Sequence, residues 1–138
     1  MTSSDKNDSL CLPMIILTPF ENALKSLEEV LREEKTAIVR DSAIQRFEYT
    51  YELGVKMLKR QLELGEASKN SVDELDFRDL VRLGAEKGYI EDTQAWFAYR
   101  ESRNITSHAY DEAKADAIYA ILPAFAKDAR KLLTALKV

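Results

Sequence analysis

The chain has 138 residues, a length typical of one domain that buries a substantial core. Hydrophobic residues make up 46% of it and charged residues 32%, a composition that excludes an intrinsically disordered chain. The net charge of −4 argues against strong, indiscriminate binding of nucleic acid, which requires a basic face, but it leaves room for a local basic cleft.

The N-terminal residues are predicted to lie outside the main domain. Residues 1–9 form a polar tail, and residues 10–17 form an extended apolar arm that could cover the core or a partner, with the core favoured. The arm does not resemble a signal peptide, because acidic residues precede it and Pro13 interrupts a short apolar run. No segment reaches the roughly 18–20 apolar residues that a membrane span needs. We therefore expect a cytoplasmic protein without membrane association, whose domain covers residues 18–138.

Capping residues predict the first two helices. Thr18 caps the first helix, with Glu21 reaching back to the cap, and the helix should run to about Glu34. Asp41 caps the second helix, and Gly65 ends it as a left-handed residue. Both segments carry apolar residues three and four positions apart, the spacing of one helix face. The second helix has the longer such stripe: Ile44, Phe47, Tyr51, Val55, Leu58 and Leu62.

Three further helices follow a polar loop over residues 65–71. Ser71 opens a short helix as part of a capping box with Glu74, and this helix ends at Gly88. Asp92 caps a fourth helix that runs to about Ser107. The last helix begins after Asp111 and carries an apolar stripe to the end of the chain, formed by Ala117, Ile118, Ile121, Leu122, Phe125, Ala129, Leu132 and Leu136.

These elements predict an all-α fold, an antiparallel up-and-down four-helix bundle with one additional short helix. No alternating strand pattern competes with the helical spacing. The aromatic residues exceed what a single bundle seam needs to bury, so some are expected to face a second copy in a homodimer. They are Tyr49, Tyr51, Trp96, Phe97 and Tyr99.

The segment between the last two helices carries the candidate chemistry: Arg103-Asn104-Ile105-Thr106-Ser107-His108-Ala109-Tyr110. His108 is the only histidine of the chain, and histidine changes charge near neutral pH. Arginine grips a phosphate with two parallel hydrogen bonds. Asn104 lies four residues before His108, so it shares a helix face with it and could orient the imidazole or the substrate. The segment therefore indicates chemistry or binding at a phosphodiester or nucleotide.

RNA cleavage is one reaction that these residues could perform without a metal. The 2′-hydroxyl of RNA is an internal nucleophile, a general base removes its proton, and a general acid protonates the leaving 5′-oxygen. Arg103 would stabilise the charge on phosphorus, and His108 would perform a proton transfer. Two proton-transfer groups are needed and the chain has one histidine, so a two-fold dimer with the segment at its interface would supply both.

Structural roles are open for the same residues. Arg103 could pair with Glu101 or Asp111 at the surface, which contributes less than about 1 kcal/mol. His108 could act as the cation at a helix C-terminus, and Tyr110 could be a core aromatic with a hydrated hydroxyl.

No metal or cofactor is expected. Cys11 is the only cysteine, so a zinc site built from thiolates and an intramolecular disulfide are excluded, and a reducing compartment is favoured. Glu48 and Glu52 lie four apart on the second helix, but no histidine accompanies them at metal-ligand spacing. We interpret these two glutamates as an interhelical or solvated polar face. No glycine-rich phosphate loop is present, so nucleotide transfer by this chain alone is not expected.

The segment resembles a known family. Arg-Asn-x-x-x-His is the signature of HEPN domains, and the extension His108-Ala109-Tyr110 is similar to that of the HepT-type subgroup. The stretch from Arg46 to Leu53 resembles the second helix of that subgroup, and so do Phe77-Arg78-Asp79 and Gly88-Tyr89-Ile90. The resemblance covers about residues 19–136. It implies an all-α, usually dimeric protein of the kind described as nucleotidyltransferase substrate-binding.

The resemblance also implies a function. HepT-type proteins are RNase toxins that associate with a minimal nucleotidyltransferase, the antitoxin, which silences them by transferring AMP to the motif tyrosine. By match, Arg103 and His108 would cleave RNA, with tRNA a candidate substrate, Asn104 would assist, and Tyr110 would accept AMP. Two classes of function remain open: a metal-independent RNase toxin, and a non-catalytic substrate-binding subunit of a nucleotidyltransferase.

Overall fold

The computed structural model describes residues 15–65 and 69–138, and within these ranges all regular secondary structure is helical. The helices are α1 (Thr18–Leu31), α2 (Ala37–Gly65), α3 (Lys69–Asp73), α4 (Phe77–Glu86), α5 (Thr93–Asn104) and α6 (Glu112–Leu136), with a 3-10 turn over Thr106–His108 before α6. The predicted all-α bundle is confirmed: α1, α2, α5 and α6 are its long helices and α4 is the short one. The five-residue α3 was not predicted.

The core lies where α2 packs against α1 and α6. Phe20, Phe47 and Phe125 have no solvent-exposed surface, and the rings of Phe47 and Phe125 meet edge to face with their centroids 4.8 Å apart. Burying one such side chain contributes roughly 1.5–3 kcal/mol. The long helices are therefore held by tertiary packing of their apolar faces.

Most of the aromatic side chains that were expected at a dimer interface belong to this core. Tyr51, Trp96, Phe97 and Tyr99 are all buried within one protomer, and Trp96 packs edge to face with Tyr99 at 5.5 Å. Tyr49 is 40% exposed, and its hydroxyl hydrogen-bonds that of Ser26 at 3.0 Å. The interpretation of these residues as a surplus is therefore wrong for all but Tyr49, and the dimer stays a prediction.

The caps predicted for the last two long helices are confirmed, whereas those predicted for the first two are wrong. The Asp92 carboxylate accepts a hydrogen bond from the Ala95 amide at 3.1 Å, and Asp111 caps α6 in the same way. At the start of α1, Thr18 is already helical and Leu17 precedes it without a side-chain cap. The helix α2 begins at Ala37, four residues before the predicted Asp41.

The start of α2 differs because another hydroxyl caps it. The Thr36 side chain accepts a hydrogen bond from the Val39 amide at 3.1 Å. Asp41, the predicted cap, instead accepts a hydrogen bond from Arg40 at 3.0 Å. A threonine and an aspartate five residues apart both fit the cap pattern, but the threonine hydroxyl caps the helix while the aspartate carboxylate pairs with the adjacent Arg40.

The connection between α2 and α4 also departs from the prediction. Ser71 lies inside α3, and the cap of α4 is Asp76, whose carboxylate accepts from the Asp79 amide at 2.8 Å. Gly65 ends α2 without a left-handed φ, whereas Gly88, two residues beyond α4, has φ +90°. Part of the predicted loop, residues 66–68, lies outside the described residues. Two helices end three residues earlier than predicted: α1 ends at Leu31 rather than Glu34, and α5 ends at Asn104 rather than Ser107.

The tail and most of the apolar arm, residues 1–14, lie outside the described residues, as does Cys11. Of the rest of the arm, Ile15 and Leu17 pack against the core, while Ile16 is 68% exposed. The division of the chain after residue 17 stays a prediction. Within the described part of the chain, none of the helices combines the length and the apolar character required to cross a membrane.

Candidate functional site

The candidate segment is a hydrogen-bonded turn between α5 and α6. The His108 amide donates to the Ile105 carbonyl at 2.9 Å, and the Asp111 amide donates to the His108 carbonyl at 3.0 Å. The buried Thr106 hydroxyl donates to the Arg103 carbonyl at 2.8 Å, which closes the end of α5. The turn places His108 and Tyr110 on a short, fixed backbone path rather than on a long loop.

Arg103 lies against two carboxylates of α2. Its Nε donates a hydrogen bond to Glu52 Oε2 at 3.0 Å, one terminal nitrogen contacts the same oxygen, and the other lies 3.7 Å from Glu48 Oε2. The hydrogen bond with Glu52 raises the pKa of the Arg103 guanidinium, so this group stays charged. The interpretation of Glu48 and Glu52 as an interhelical polar face is confirmed, whereas the surface partners considered for Arg103 were wrong.

His108 and Tyr110 are both exposed and adjacent. His108 Nδ1 lies 3.5 Å from the Tyr110 hydroxyl, and the ring centroids are 6.0 Å apart. Tyr110 is 83% exposed, so it is not a core aromatic. The imidazole and the phenol are therefore open to solvent and to a substrate or partner.

Asn104 faces a different part of the surface. It lines a groove of about 400 Å³ between α4 and α5, together with Arg78 and Arg100. Because α5 ends at Asn104, the four-residue spacing to His108 no longer defines a common helix face. Among the described residues of one protomer, no hydrogen bond, ion pair or ring contact joins His108 to Arg103 or to Asn104.

Arg40 fixes the start of α6, the element that follows the turn. Its buried guanidinium donates to Glu112 at 2.6 Å and to Asp116 at 3.2 Å, both on α6, and to Asp41 on its own helix. Lys35 also pairs with Asp116 at 3.1 Å. These contacts bind the N-terminal turn of α6 to α2 and so position the segment that ends at Tyr110.

The sequence analysis missed two arginines beside the candidate segment. The Arg78 guanidinium lies 4.5 Å from the ring centroid of Phe97, and that of Arg100 lies 4.6 Å from the ring centroid of Phe77. Arg100 precedes Asn104 by four positions, a helical spacing that could have indicated it. Within residues 15–65 and 69–138, no three His, Cys, Asp or Glu side chains are grouped so that they could hold a metal ion.

The described residues form a helical bundle, and the sequence Arg-Asn-x-x-x-His-x-Tyr precedes its last helix. This combination of fold and motif is typical of one protein family. The chain matches the family "Nucleotidyltransferase substrate binding protein like" over residues 16–138. It belongs to this family. The predicted membership of the HepT-like, nucleotidyltransferase substrate-binding kind is thereby confirmed.

Individual relatives agree with this assignment. The chain is 42% identical over 105 residues to "Probable ribonuclease HepT" of Haemophilus influenzae, a stretch that spans 73% of this chain and 72% of that protein. The structure of HI0074 from Haemophilus influenzae superposes with a TM-score of 0.84 at 34% identity, covering 89% of this chain and 100% of that one. HI0074 is described as showing the fold of a substrate-binding domain of a nucleotidyltransferase. The protein ttk003001694 from Thermus thermophilus superposes with a TM-score of 0.74 at 32% identity, covering 86% of this chain and 99% of that one.

Proposed function

We propose that this chain is a metal-independent ribonuclease of the HepT kind, the toxin of a pair in which a minimal nucleotidyltransferase is the antitoxin. Arg103 and His108 act on RNA in the cleft of a homodimer, and AMP transfer to Tyr110 silences the enzyme. The observation that carries the proposal is the exposed His108–Tyr110 pair on the turn that directly follows the end of α5, where Arg103 lies. The ribonuclease name of the 42% identical relative supports it.

The cleavage step uses groups that the turn provides. The 2′-oxygen of RNA attacks the adjacent phosphorus and gives its proton to a neutral imidazole, the base. The bond from phosphorus to the 5′-oxygen breaks, and that oxygen takes a proton from an imidazolium, the acid, which leaves a 2′,3′-cyclic phosphate. The two imidazoles are the His108 side chains of the two protomers, and Arg103 stabilises the negative charge that develops on phosphorus.

The pairing of Arg103 with α2 prepares it for this role. Glu52 and Glu48 orient the guanidinium while no substrate is bound. The two non-bridging oxygens of a phosphodiester can accept two parallel hydrogen bonds from a guanidinium, as a carboxylate can, so RNA can take the place of Glu52. Asn104, at the end of α5, is proposed to hold the strand next to the phosphate that Arg103 binds.

Silencing follows from the exposure of Tyr110. The phenolic oxygen attacks the α-phosphorus of ATP on the nucleotidyltransferase, the phenolic proton leaves to solvent, and pyrophosphate departs. The product carries a phosphate anion and a base beside His108, where they occupy the cleft and compete for its cations. With 83% of its surface free, Tyr110 meets the first requirement of a modification target.

Cleavage of tRNA in EDTA tests the catalytic proposal. We expect the wild-type protein to cut the RNA, and Arg103→Ala and His108→Ala each to lower the rate by at least about 100-fold. The melting temperature should stay unchanged in His108→Ala, whereas Arg103→Ala also loses the contacts with Glu52 and Glu48 and should melt somewhat lower while remaining folded. Cleavage that persists in both variants would come from a contaminant or another site and would contradict the proposal.

Incubation with labelled ATP and the proposed partner, the minimal nucleotidyltransferase, tests the modification. We expect AMP on the wild-type chain and on Tyr49→Phe, the control at the other exposed tyrosine near the α1–α2 contact, but none on Tyr110→Phe. The modified protein should lose RNA cleavage in proportion to the AMP incorporated. Label on Tyr110→Phe would place the acceptor elsewhere.

A non-catalytic substrate-binding subunit is the second candidate. The carboxylates on Arg103 favour it, because they reduce the positive charge that an RNase needs at the scissile phosphate. If this second function is correct, RNA should stay intact under all conditions. The chain should then form a stable complex with the nucleotidyltransferase, and this complex should not depend on His108.

A further inference from the structure

We propose that the groove between α4 and α5 binds the phosphate backbone of the RNA strand next to the cleavage site, through Arg78 and Arg100. This inference rests on the proposed ribonuclease function and deepens it. The α4–α5 groove has a volume of about 400 Å³, within the range of small-ligand sites. Its lining residues are Asp76, Phe77, Arg78, Phe97, Arg100, Glu101 and Asn104.

Two guanidinium groups are held in this groove by aromatic rings rather than by carboxylates. Arg78 stacks over Phe97 with 4.5 Å to the centroid, and Arg100 stacks over Phe77 with 4.6 Å. The two rings pack against each other at 6.4 Å, so the four side chains form one unit. A cation–π contact holds the guanidinium over the ring without using its N–H donors in hydrogen bonds, so these donors remain available for an acceptor.

Arg78 and Arg100 differ in this respect from the arginines that are fixed by ion pairs. Arg40, Arg103 and Arg130 each contact a carboxylate directly. Arg78 and Arg100 are exposed and, within the described part of the chain, take part in no ion pair. Fixed but unpaired cations favour an anionic ligand.

The acidic residues around the groove are largely engaged. The Asp76 carboxylate accepts the Asp79 amide as the cap of α4. The Asp79 carboxylate lies 3.5 Å from Arg82, whose guanidinium is itself 5.8 Å from the Phe97 centroid. Glu101 is exposed and is the remaining carboxylate in the lining. The lining therefore holds two arginines and two carboxylates, and Arg82, outside the lining, brings a third guanidinium near Phe97.

The groove leads to the candidate site along α5. Arg100 and Asn104 both line it and lie one turn apart, about 6 Å along the helix axis, and Arg103, three residues after Arg100, lies beside the groove at about 60° from Arg100 around that axis. A strand whose phosphate reaches Arg103 can therefore continue past Asn104 to Arg100 and Arg78. Phe97 is buried, Phe77 packs against it, and each ring has a guanidinium over it, so the groove offers its cations to phosphate rather than a ring face to a base. Recognition here is independent of base sequence.

The salt dependence of RNA binding tests the inference. Binding of a labelled single-stranded RNA is measured by fluorescence anisotropy between about 50 and 300 mM salt, in the His108→Ala background so that the RNA stays intact. Each lost phosphate contact lowers the magnitude of the negative slope of log K against log salt by about 0.7. We expect Arg78→Gln with Arg100→Gln to lower this magnitude by about 1.4 and to weaken binding at least about 10-fold at the lowest salt.

Two comparisons control for charge and for folding. Arg32→Gln with Lys127→Gln removes the same charge from exposed positions outside the groove and should leave the slope near that of the background protein. Arg78→Lys with Arg100→Lys keeps the charge and the salt slope but loses the planar donors, so its affinity should fall between the two.

The outcomes separate this inference from the proposed function. An unchanged slope in the Arg78→Gln, Arg100→Gln protein, or no RNA binding at all, overturns the groove. If that variant binds RNA normally but loses the nucleotidyltransferase, the groove is a protein-docking surface and the inference is wrong while the ribonuclease stands. If the wild-type protein binds RNA through the groove but never cleaves it, the inference about the groove is supported and the proposed ribonuclease function is contradicted.

Discussion

Arg103 shows how one side chain can serve the fold and the proposed chemistry. Its guanidinium joins α5 to α2 through Glu52 and Glu48, so it contributes to packing before any substrate arrives. These partners lie 51 and 55 positions away in sequence, beyond any local spacing rule. Residue type and spacing therefore selected Arg103, His108, Glu48 and Glu52, but they did not indicate that the two carboxylates face Arg103.

Replacing Arg103 by lysine separates charge from geometry. Lysine keeps the positive charge but offers a single ammonium instead of a planar fork, so it cannot hold phosphate with two parallel bonds. We expect Arg103→Lys to lower the rate of RNA cleavage by roughly 10–100-fold, with most of the RNA affinity retained.

The matched control is Arg130→Lys. Arg130 pairs with Glu28 through two nitrogens, at 3.1 and 2.5 Å, and takes no part in the proposed site. It should leave cleavage unchanged. Full activity of Arg103→Lys would show that charge alone is sufficient at this position.

At the scale of the helices, the start of a helix could be predicted from the sequence where a capping residue directly precedes it. Asp92 and Asp111 directly precede their helices and cap them as predicted. Asp41 and Ser71 fit the same pattern, but the Asp41 carboxylate is used by Arg40, and Ser71 falls within a helix of its own. The position of a helix is set by its apolar stripe, whereas its first residue depends on contacts that the stripe does not reveal.

The close approach of Gly54 on α2 to Phe20 on α1 predicts the effect of adding a methyl group at Gly54. A Cβ atom at Gly54 would lie 3.1 Å from two ring atoms of Phe20, so this fully buried ring would have to shift by a few tenths of an ångström within a packed core. Overpacking costs about 1–3 kcal/mol, and the removal of a helical glycine returns about 1 kcal/mol. We expect Gly54→Ala to lower the free energy of unfolding by on the order of 1 kcal/mol, measured by urea denaturation.

Gly65 offers the opposite case on the same helix. A Cβ atom there meets nothing within 4 Å, and its φ is not left-handed. Gly65→Ala should leave stability unchanged or raise it by up to about 1 kcal/mol. A loss at Gly65 equal to that at Gly54 would contradict the packing argument.

The ion pairs between α2 and α6 predict how stability depends on acid. Lys35, and then Arg40, hold the pKa of Asp116 below its ordinary value. A carboxyl whose pKa is lowered by folding stabilises the protein above its ordinary pKa, and this contribution is lost as the pH falls through the lowered value. We expect the melting temperature to fall between about pH 4 and pH 2, and Asp116→Asn to melt lower at about pH 7 with a shallower fall in acid. Parallel curves for the two proteins would contradict this.

At the scale of the whole molecule, the proposed mechanism requires two chains. One protomer supplies a single imidazole, and that imidazole makes no contact with Arg103 among the described residues of the same chain. The buried aromatics showed that composition alone does not identify an interface, since the core uses most of them. The dimer is therefore argued from the chemistry of the site rather than from an apolar surface.

Subunit mixing tests that requirement. Wild-type chains refolded with a roughly nine-fold excess of His108→Ala chains mostly form mixed dimers with one imidazole each. If both imidazoles are needed, cleavage per wild-type chain should fall to about one tenth, the fraction of wild-type chains that still pair with each other. Unchanged activity per wild-type chain would mean that one protomer carries a complete site.

The ion pair between Arg103 and Glu52 also determines how this one arginine responds to electrolyte. RNA that docks on Arg103 sheds condensed cations from its backbone, while the displaced Glu52 becomes free to attract a cation from solution. The cations released from the RNA and the cation attracted by Glu52 partly cancel in the net number of ions released. Arg103 should therefore contribute less to the salt slope of RNA binding than Arg78 or Arg100, which release no carboxylate when they meet a phosphate.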